Sequence, residues 1–395
     1  MLIKDIRAYS VFANFRNWCF IKIVTDEGIH GVGEATVEFQ TNAVMGCIQD
    51  LKPLFIGQDP RNIYDLTYRA QRYAYYQDNP ILQSALAGYE VALWDILGKT
   101  LNAPIWQLLG GRLRDSIAIY GNAWRQNAVT PEEFARVARE AVDNGCKALK
   151  WDPFGCADRS LTTKELLAAE EQIAAVREAV GSEVQLLIEG HGRFSVTGAL
   201  EILHMLEPYN PYYFEEPVIS SDLSGLAEVR RNAKIRIAAG ERVHTVQGFR
   251  ELFAKGAIDV AQPDLIHVGG IQNIRKIAAL AEGFGVSVTL HNCNGPIGNA
   301  ATLHADAGIC NLDLQETMLM DAPWRQIIST ERMEVKSGYL LPVPETPGLG
   351  VDLVEETLKN YPARTIPDFM FAPRFYEDKS IKRANMVTSG EKSER

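Results

Sequence analysis

Between Ser116 and about residue 335 the chain repeats one small pattern eight times: a short apolar run followed by a helical or helix-like stretch. The runs fall at 117–120, 148–151, 184–188, 212–214, 236–239, 259–261, 286–290 and 312–314, and amphipathic segments such as 131–144 and 163–180 lie between them. Thr130-Pro131-Glu132-Glu133 is a strong helix start, with proline at the first helical position and glutamates in the first turn. Eight strands, each followed by a crossover, predict a (β/α)8-type barrel, a modified TIM barrel. A doubly wound sheet fits less well, because no glycine-rich phosphate loop opens a helix.

The flanks read differently. Residues 18–24 form a strand-like run, Asp26-Glu27-Gly28 makes a turn and 31–35 resumes the strand, which is a hairpin. Over 83–101, Leu86, Val91, Trp94, Ile96 and Leu97 belong to a broad apolar helix face. The expected layout is an α+β capping domain over 1–115 and the barrel over 116–335. A Pro- and Gly-rich return over 336–378 then packs on the cap, and a polar, disordered tail covers 379–395.

Composition narrows the function. Forty Lys+Arg against fifty Asp+Glu give a formal charge of −10, which repels phosphate backbones and argues against a nucleic-acid partner. No window approaches the ~18 apolar residues of a membrane span, and the first residues lack the apolar core of a signal peptide. The six cysteines form no CxxC pair and read as reduced thiols. A cytoplasmic enzyme without membrane or nucleic-acid partners is expected.

Active sites of such barrels lie at the C-terminal ends of the strands. There the chain is acidic: Glu189 follows the third run, Glu215 and Glu216 the fourth, and Glu241 the fifth. Glu189, Glu215 and Glu241 recur at about one β/α unit. At ~5 Å and an effective dielectric of ~20, each pair of carboxylates repels by about 3 kcal/mol. Oxygen-only ligands that need neutralising point to a hard divalent cation, Mg2+ before Zn2+. Glu216, by period-two alternation, faces away from Glu215.

Later strand ends carry Asp264, His291 and Glu316. Adjacent strands place Asp264 beside His291, where a carboxylate on one ring nitrogen sets the tautomer and keeps the imidazole basic. Lys150 and Asp152 end the second run, and His191 stands two residues beyond Glu189. His204, His304 and His30 read as surface or packing residues; His244 and His267 lie a few positions past strand ends, where they could line the site, though nothing requires them.

These residues reach a family. Ala92-Leu93-Trp94-Asp95-Ile96-Leu97-Gly98-Lys99, Leu108-Leu109-Gly110-Gly111, Phe214-Glu215-Glu216-Pro217, Gly240-Glu241-Arg242, Gln262-Pro263-Asp264 with Gly269-Gly270, His291-Asn292 and Pro347-Gly348-Leu349-Gly350 resemble the enolase superfamily, in its mandelate racemase-like branch. Lys150-Trp151-Asp152-Pro153-Phe154 and Glu189-Gly190-His191-Gly192-Arg193-Phe194 look most like the gluconate and galactonate dehydratases. The resemblance implies a lid-plus-barrel enzyme, a symmetric homo-oligomer, that removes the proton α to a carboxylate. The branch usually carries Lys-x-Lys at the second strand; Asp152 in the second position disfavours a racemase.

The expected reaction is dehydration of an aldonate or aldarate to a 2-keto-3-deoxy acid, with one Mg2+ on Glu189, Glu215 and Glu241. His291, aligned by Asp264, takes the C2 proton and His191 protonates the departing 3-hydroxyl; the substrate's configuration decides which histidine is base. Lys150 clamps the carboxylate and Glu316 hydrogen-bonds the carboxylate or the enediolate. Substrate contacts are expected from Trp18, Asn122, Asp152 and Arg193, with 14–18, 38–42, Tyr75-Tyr76 and Trp124 as further candidates. A cycloisomerase or epimerase of a sugar acid or lactone, and a non-catalytic binder of an acid metabolite, are the alternatives.

Overall fold

The structure is a computed structural model and describes residues 1–122, 124–125, 128–318 and 321–366. The expected tail at 379–395, and the end of the return beyond 366, lie outside the described residues. The chain opens with three antiparallel strands, β1 (Ile3–Ala13), β2 (Arg16–Thr25) and β3 (His30–Glu34), followed by α1 (Thr41–Phe55), α2 (Ile63–Tyr73), α3 (Pro80–Leu101) and the short α4 (Ile105–Leu108). The hairpin read from the sequence is β2–β3, with Phe20 opposite Glu34. Strand β1, which pairs with β2 from Ile3 opposite Thr25 to Ala13 opposite Arg16, was not anticipated.

Glycine sets the spacing between sheet and helix here. A Cβ on Gly33 would lie 1.9 Å from the Gly88 carbonyl oxygen, so α3 lies flat on β3 only because neither residue has a side chain. Helix α3 is bounded as its sequence dictates. The Asn79 side chain accepts from Leu82 N–H, Pro80 opens the first turn, and Asn102 ends it in the left-handed region. The cap core gathers Ile21, Ile23, Val44, Ile48, Phe55, Tyr89 and Leu93. The Phe55 and Tyr89 rings stack at 4.1 Å.

The repeat follows as β4 (Ser116–Gly121), α5 (Pro131–Asp143), β5 (Ala148–Trp151), α6 (Thr163–Val180), β6 (Gln185–Glu189), α7 (Val196–Leu206), β7 (Tyr213–Glu215), α8 (Leu223–Asn232) and β8 (Arg236–Ala239). It continues with α9 (Val246–Ala254), β9 (Val260–Ala261), α10 (Ile271–Gly283), β10 (Ser287–Leu290), α11 (Pro296–Asp306) and β11 (Leu312–Thr317). Strands β4 to β11 lie in chain order in one sheet, and β11 pairs back to β4, so the sheet is a closed eight-stranded barrel. Each of the eight apolar runs is a strand to within a few residues. The Thr130 start is a full capping box with Glu133 and Thr162 forms another with Glu165, which is why α5 and α6 begin where the sequence places them.

After β11 come α12 (Arg325–Ile328), β12 (Leu340–Pro342) and α13 (Glu355–Leu358). Strand β12 runs antiparallel to β4, with Leu341 opposite Ile117. Two compact units result. One comprises Met1–Tyr120, Ala239–Lys255 and Asp259–Arg364; the other comprises Gly121–Ala238 and Gly256–Ile258. Among the described residues no helix is long and apolar enough to cross a membrane.

Candidate active site

In the unit built on 121–238, parallel register does the first placement. Strand β5 pairs with β6 so that Trp151 faces Ile188, and β6 pairs with β7 so that Glu189 faces Glu215. Both glutamates are buried, and Lys150 on β5 is 3% exposed beside them. Its Nζ lies 2.8 Å from Glu215 Oε1 and 3.2 Å from Glu189 Oε2. Burial pushes the Glu189 carboxyl up, but the charges of His191 and Lys150 outweigh it and hold the acid well below the usual carboxylate range.

The chain turns sharply after Glu189. Gly190 N–H donates to the Glu215 carbonyl, Gly192 N–H to that of Glu216, and His191 takes the left-handed φ of 53°. A Cβ on Gly190 would lie 2.7 Å from Glu216 O, so the turn needs glycine there. The His191 N–H donates to Glu189 Oε1 at 2.8 Å, which ties the loop to the carboxylate it follows. The His191 ring is then fixed from β5: its Nδ1 lies 2.8 Å from Asp152 Oδ2.

Asp152 and Arg193, both expected to touch substrate, are bonded to each other and to the loop that carries His191. Asp152 Oδ2 also accepts from Arg193 Nη2 at 2.6 Å, and Oδ1 accepts from Phe154 N–H. Arg193 further donates to the carbonyls of Gly155 and Gly190. Both side chains lock the loop that carries His191. Glu216, at φ 39°, is buried and accepts from Ser220 Oγ at 2.6 Å. Asn122 follows β4 and is half-buried, while the Trp124 Nε1–H donates to the Lys150 carbonyl.

In the unit that contains the cap, Glu241 follows β8, Asp264 follows β9, His291 follows β10 and Glu316 lies on β11. His291 Nδ1 lies 2.7 Å from Asp264 Oδ2, as the strand adjacency predicts. Its Nε2 lies 3.2 Å from Glu241 Oε2 and 3.7 Å from Glu316 Oε2. Asp264 is held in turn by the Ile266 N–H and by Asn294 Nδ2. Burial pushes Asp264 up, but the charges of His267 and His291 leave it below its ordinary range. Burial pushes His291 down, yet the adjacent Cys293, Glu241 and Glu316, with the bond to Asp264, hold the ring well above its ordinary value.

Several neighbours carried no clear signal in the chain. His267 is buried, with Ser84 Oγ 3.0 Å from its Nδ1 and Glu38 Oε2 3.6 Å from its Nε2. Burial pushes the Glu38 carboxyl up, but His267 and Arg16 overrule it and keep the acid ionised well below its normal range. Cys293 stands two residues past His291, a period-two position that offered the one available hint of its place. Trp18 is fully buried in β2, with the Arg325 guanidinium 5.0 Å over its ring, so it is an internal packing residue of this unit. Tyr75 and Tyr76 are 90% and 81% exposed, which rules them out as core residues.

Among the described residues of the unit that contains the cap, His291, Cys293 and Glu316 have the composition to hold a metal ion. Glu189 and Glu215, paired across β6 and β7, offer oxygen ligands that suit a hard cation. Lys150 brings one positive charge to Glu189 and Glu215, which leaves negative charge for a divalent ion to balance.

Residues 133–357 match the family model described as enolase C-terminal domain-like, and residues 13–110 match the N-terminal domain of mandelate racemase / muconate lactonizing enzyme. The D-gluconate dehydratase of Thermoproteus tenax is 36% identical over 345 residues, 87% of this chain and 69% of that one. A solved member of the enolase superfamily from Salmonella Typhimurium has TM-score 0.87 and 30% identity, covering 92% of this chain and 99% of that one. A mandelate racemase/muconate lactonizing enzyme from Jannaschia sp. CCS1 superposes with TM-score 0.84 and 31% identity, over 92% and 98% of the two chains.

Proposed function

The chain belongs to the mandelate racemase/muconate lactonizing enzyme family and is a dehydratase of the enolase superfamily, and from that premise we propose that it dehydrates an aldonate or aldarate to the 2-keto-3-deoxy acid. Glu189, Glu215 and Glu241 would hold the Mg2+. When bound, that ion draws charge from the substrate carboxylate and so acidifies the adjacent carbon. Lys150, already paired with two buried carboxylates, adds a fixed positive charge for the same end of the substrate. Glu316 hydrogen-bonds the substrate carboxylate.

His291, with Nδ1 committed to Asp264, has Nε2 for the C2 proton. His191, with Nδ1 committed to Asp152, has Nε2 to protonate the departing 3-hydroxyl. The observation that carries the reading is this pair of histidines, each with a carboxylate on the same ring nitrogen. A carboxylate there fixes the tautomer and supports the ring through proton transfer, the requirement of a general base and of a general acid. It also accounts for aspartate where relatives carry a second lysine, because Asp152 serves His191. The reading includes a homo-oligomer in the cytoplasm.

Purified protein with Mg2+, screened against aldonic and aldaric acids with detection of 2-keto acid, tests the reaction. His291→Asn is expected to abolish exchange of the C2 hydrogen with solvent deuterium. His191→Asn is expected to slow elimination while exchange survives. If both variants dehydrate at near wild-type rates, the assignment fails; a product isomeric with its substrate would identify an epimerase or cycloisomerase instead.

A further inference from the structure

We propose that His291, Cys293 and Glu316 form a second cation site, for a thiophilic divalent metal such as Zn2+ or Cd2+, whose occupation removes the His291 base. Strands β10 and β11 run parallel with Leu290 opposite Gln315, so the next residues, His291 and Glu316, leave the pair side by side. Cys293 returns two residues later. One ligand atom from each of the three lies within 4.8 Å of the others. Since Nδ1 of His291 is taken by Asp264, the ring nitrogen in play is Nε2, 3.7 Å from Glu316 Oε2. Two ligands of one tetrahedral zinc stand roughly 3.4 Å apart, given bonds of about 2.0–2.3 Å, so that edge is nearly in place. The Cys293 sulfur lies within 4.8 Å of the other two ligand atoms, so closing the triad asks a shift of at most about 1 Å of it.

The surroundings are those of a metal-binding histidine. A carboxylate on the far ring nitrogen, as Asp264 provides, orients such rings and raises their basicity as ligands. Glu316 is fully buried and His291 is 8% exposed, so a bound ion would be shielded from water. Nitrogen, sulfur and oxygen donors select zinc or cadmium over magnesium, whereas the three-glutamate group has the opposite preference. Burial and Glu316 push the Cys293 thiol up, against Arg16 and His291, so its proton leaves to solvent only as the sulfur–metal bond forms, and the proton on His291 Nε2 leaves with it. The metal takes the Nε2 lone pair, and no proton acceptor is left at that nitrogen.

Binding does not depend on the dehydratase reading; inhibition does, and the test separates them. Full-length protein saturated with Mg2+ is titrated with Cd2+ while the ultraviolet thiolate-to-cadmium charge-transfer band is followed. The band is expected to saturate at one ion per chain, to vanish in Cys293→Ser and to survive in Cys310→Ser, whose cysteine is exposed. Asp264→Asn, with the outer carboxylate removed, is expected to weaken Cd2+ by roughly 10–100-fold. Circular dichroism melting checks that each variant is folded; should Cys293→Ser fail to fold, alkylation protection of Cys293 by Cd2+ in the wild type replaces it. A band unchanged in Cys293→Ser, or no protection, overturns the site. With a sugar-acid substrate in hand, Zn2+ should stop C2 exchange over the range that saturates binding. Turnover that continues with the band fully formed overturns the overlap with the base.

Discussion

Asp152 is the residue whose chemistry changed most between chain and fold. Its carboxylate is shared between His191 Nδ1 and Arg193 Nη2, so replacing it with asparagine keeps the volume and removes the charge that orients the imidazole. Asp152→Asn is expected to cut dehydration by roughly 10²–10⁴-fold, the range general acid catalysis supplies. Exchange at C2, the step proposed for His291, should continue. Deuterium incorporation by NMR beside 2-keto acid release measures both, and equal loss of the two would mean Asp152 only holds the fold. The pairing of Asp264 with His291 was legible because strand adjacency alone places them side by side. The pairing of Asp152 with His191 was not, because it needs the left-handed turn at His191, which no residue at that position announces.

At the scale of elements, α5 to α9 begin at side-chain caps, while β1, α1 and α2 were not singled out, although α1 buries Val44, Ile48, Leu51 and Phe55 at helical spacing. Helix α11 illustrates how an element is held by what lies outside it. The Gly295 and Gly298 N–H groups at its start donate to Glu34 from β3. Near its end the buried His304 accepts the Trp106 N–H at Nδ1 and donates from Nε2 to the Leu349 carbonyl. The bond accepted at Nδ1 requires the neutral ring, and burial pushes His304 down to about 4. The unfolded chain binds this proton below pH 6.5, the folded chain only near pH 4. Stability from this group is therefore complete above pH 6.5 and falls as the pH drops towards 4, by roughly 3 kcal/mol in all. Urea unfolding at pH 7 and pH 4.5 measures the fall, and His304→Gln should flatten it; an equally steep variant would assign the acid sensitivity elsewhere.

For the whole molecule the decisive quantity is the charge collected at strand ends. If the three glutamates take Mg2+, the ion binds the folded chain alone and raises its unfolding free energy by about 2.7 kcal/mol at a hundred times its dissociation constant. A melting temperature that rises with Mg2+ and stops responding in Glu215→Gln is the expected result, together with loss of turnover on chelation and recovery on adding Mg2+. A chelator-insensitive enzyme would exclude the cage. The repeat of eight apolar runs and the acids that follow them determined the barrel and the strand ends at which its chemistry could stand, because strand order and side-chain alternation are local properties that adjacent strands inherit. What only the tertiary structure decided is which polar atoms meet: Asp152 with His191, Glu38 with His267, and Cys293 with His291. Those contacts depend on positive-φ turns and on loops crossing between strands, and burial strengthens them far beyond anything their positions in the chain imply.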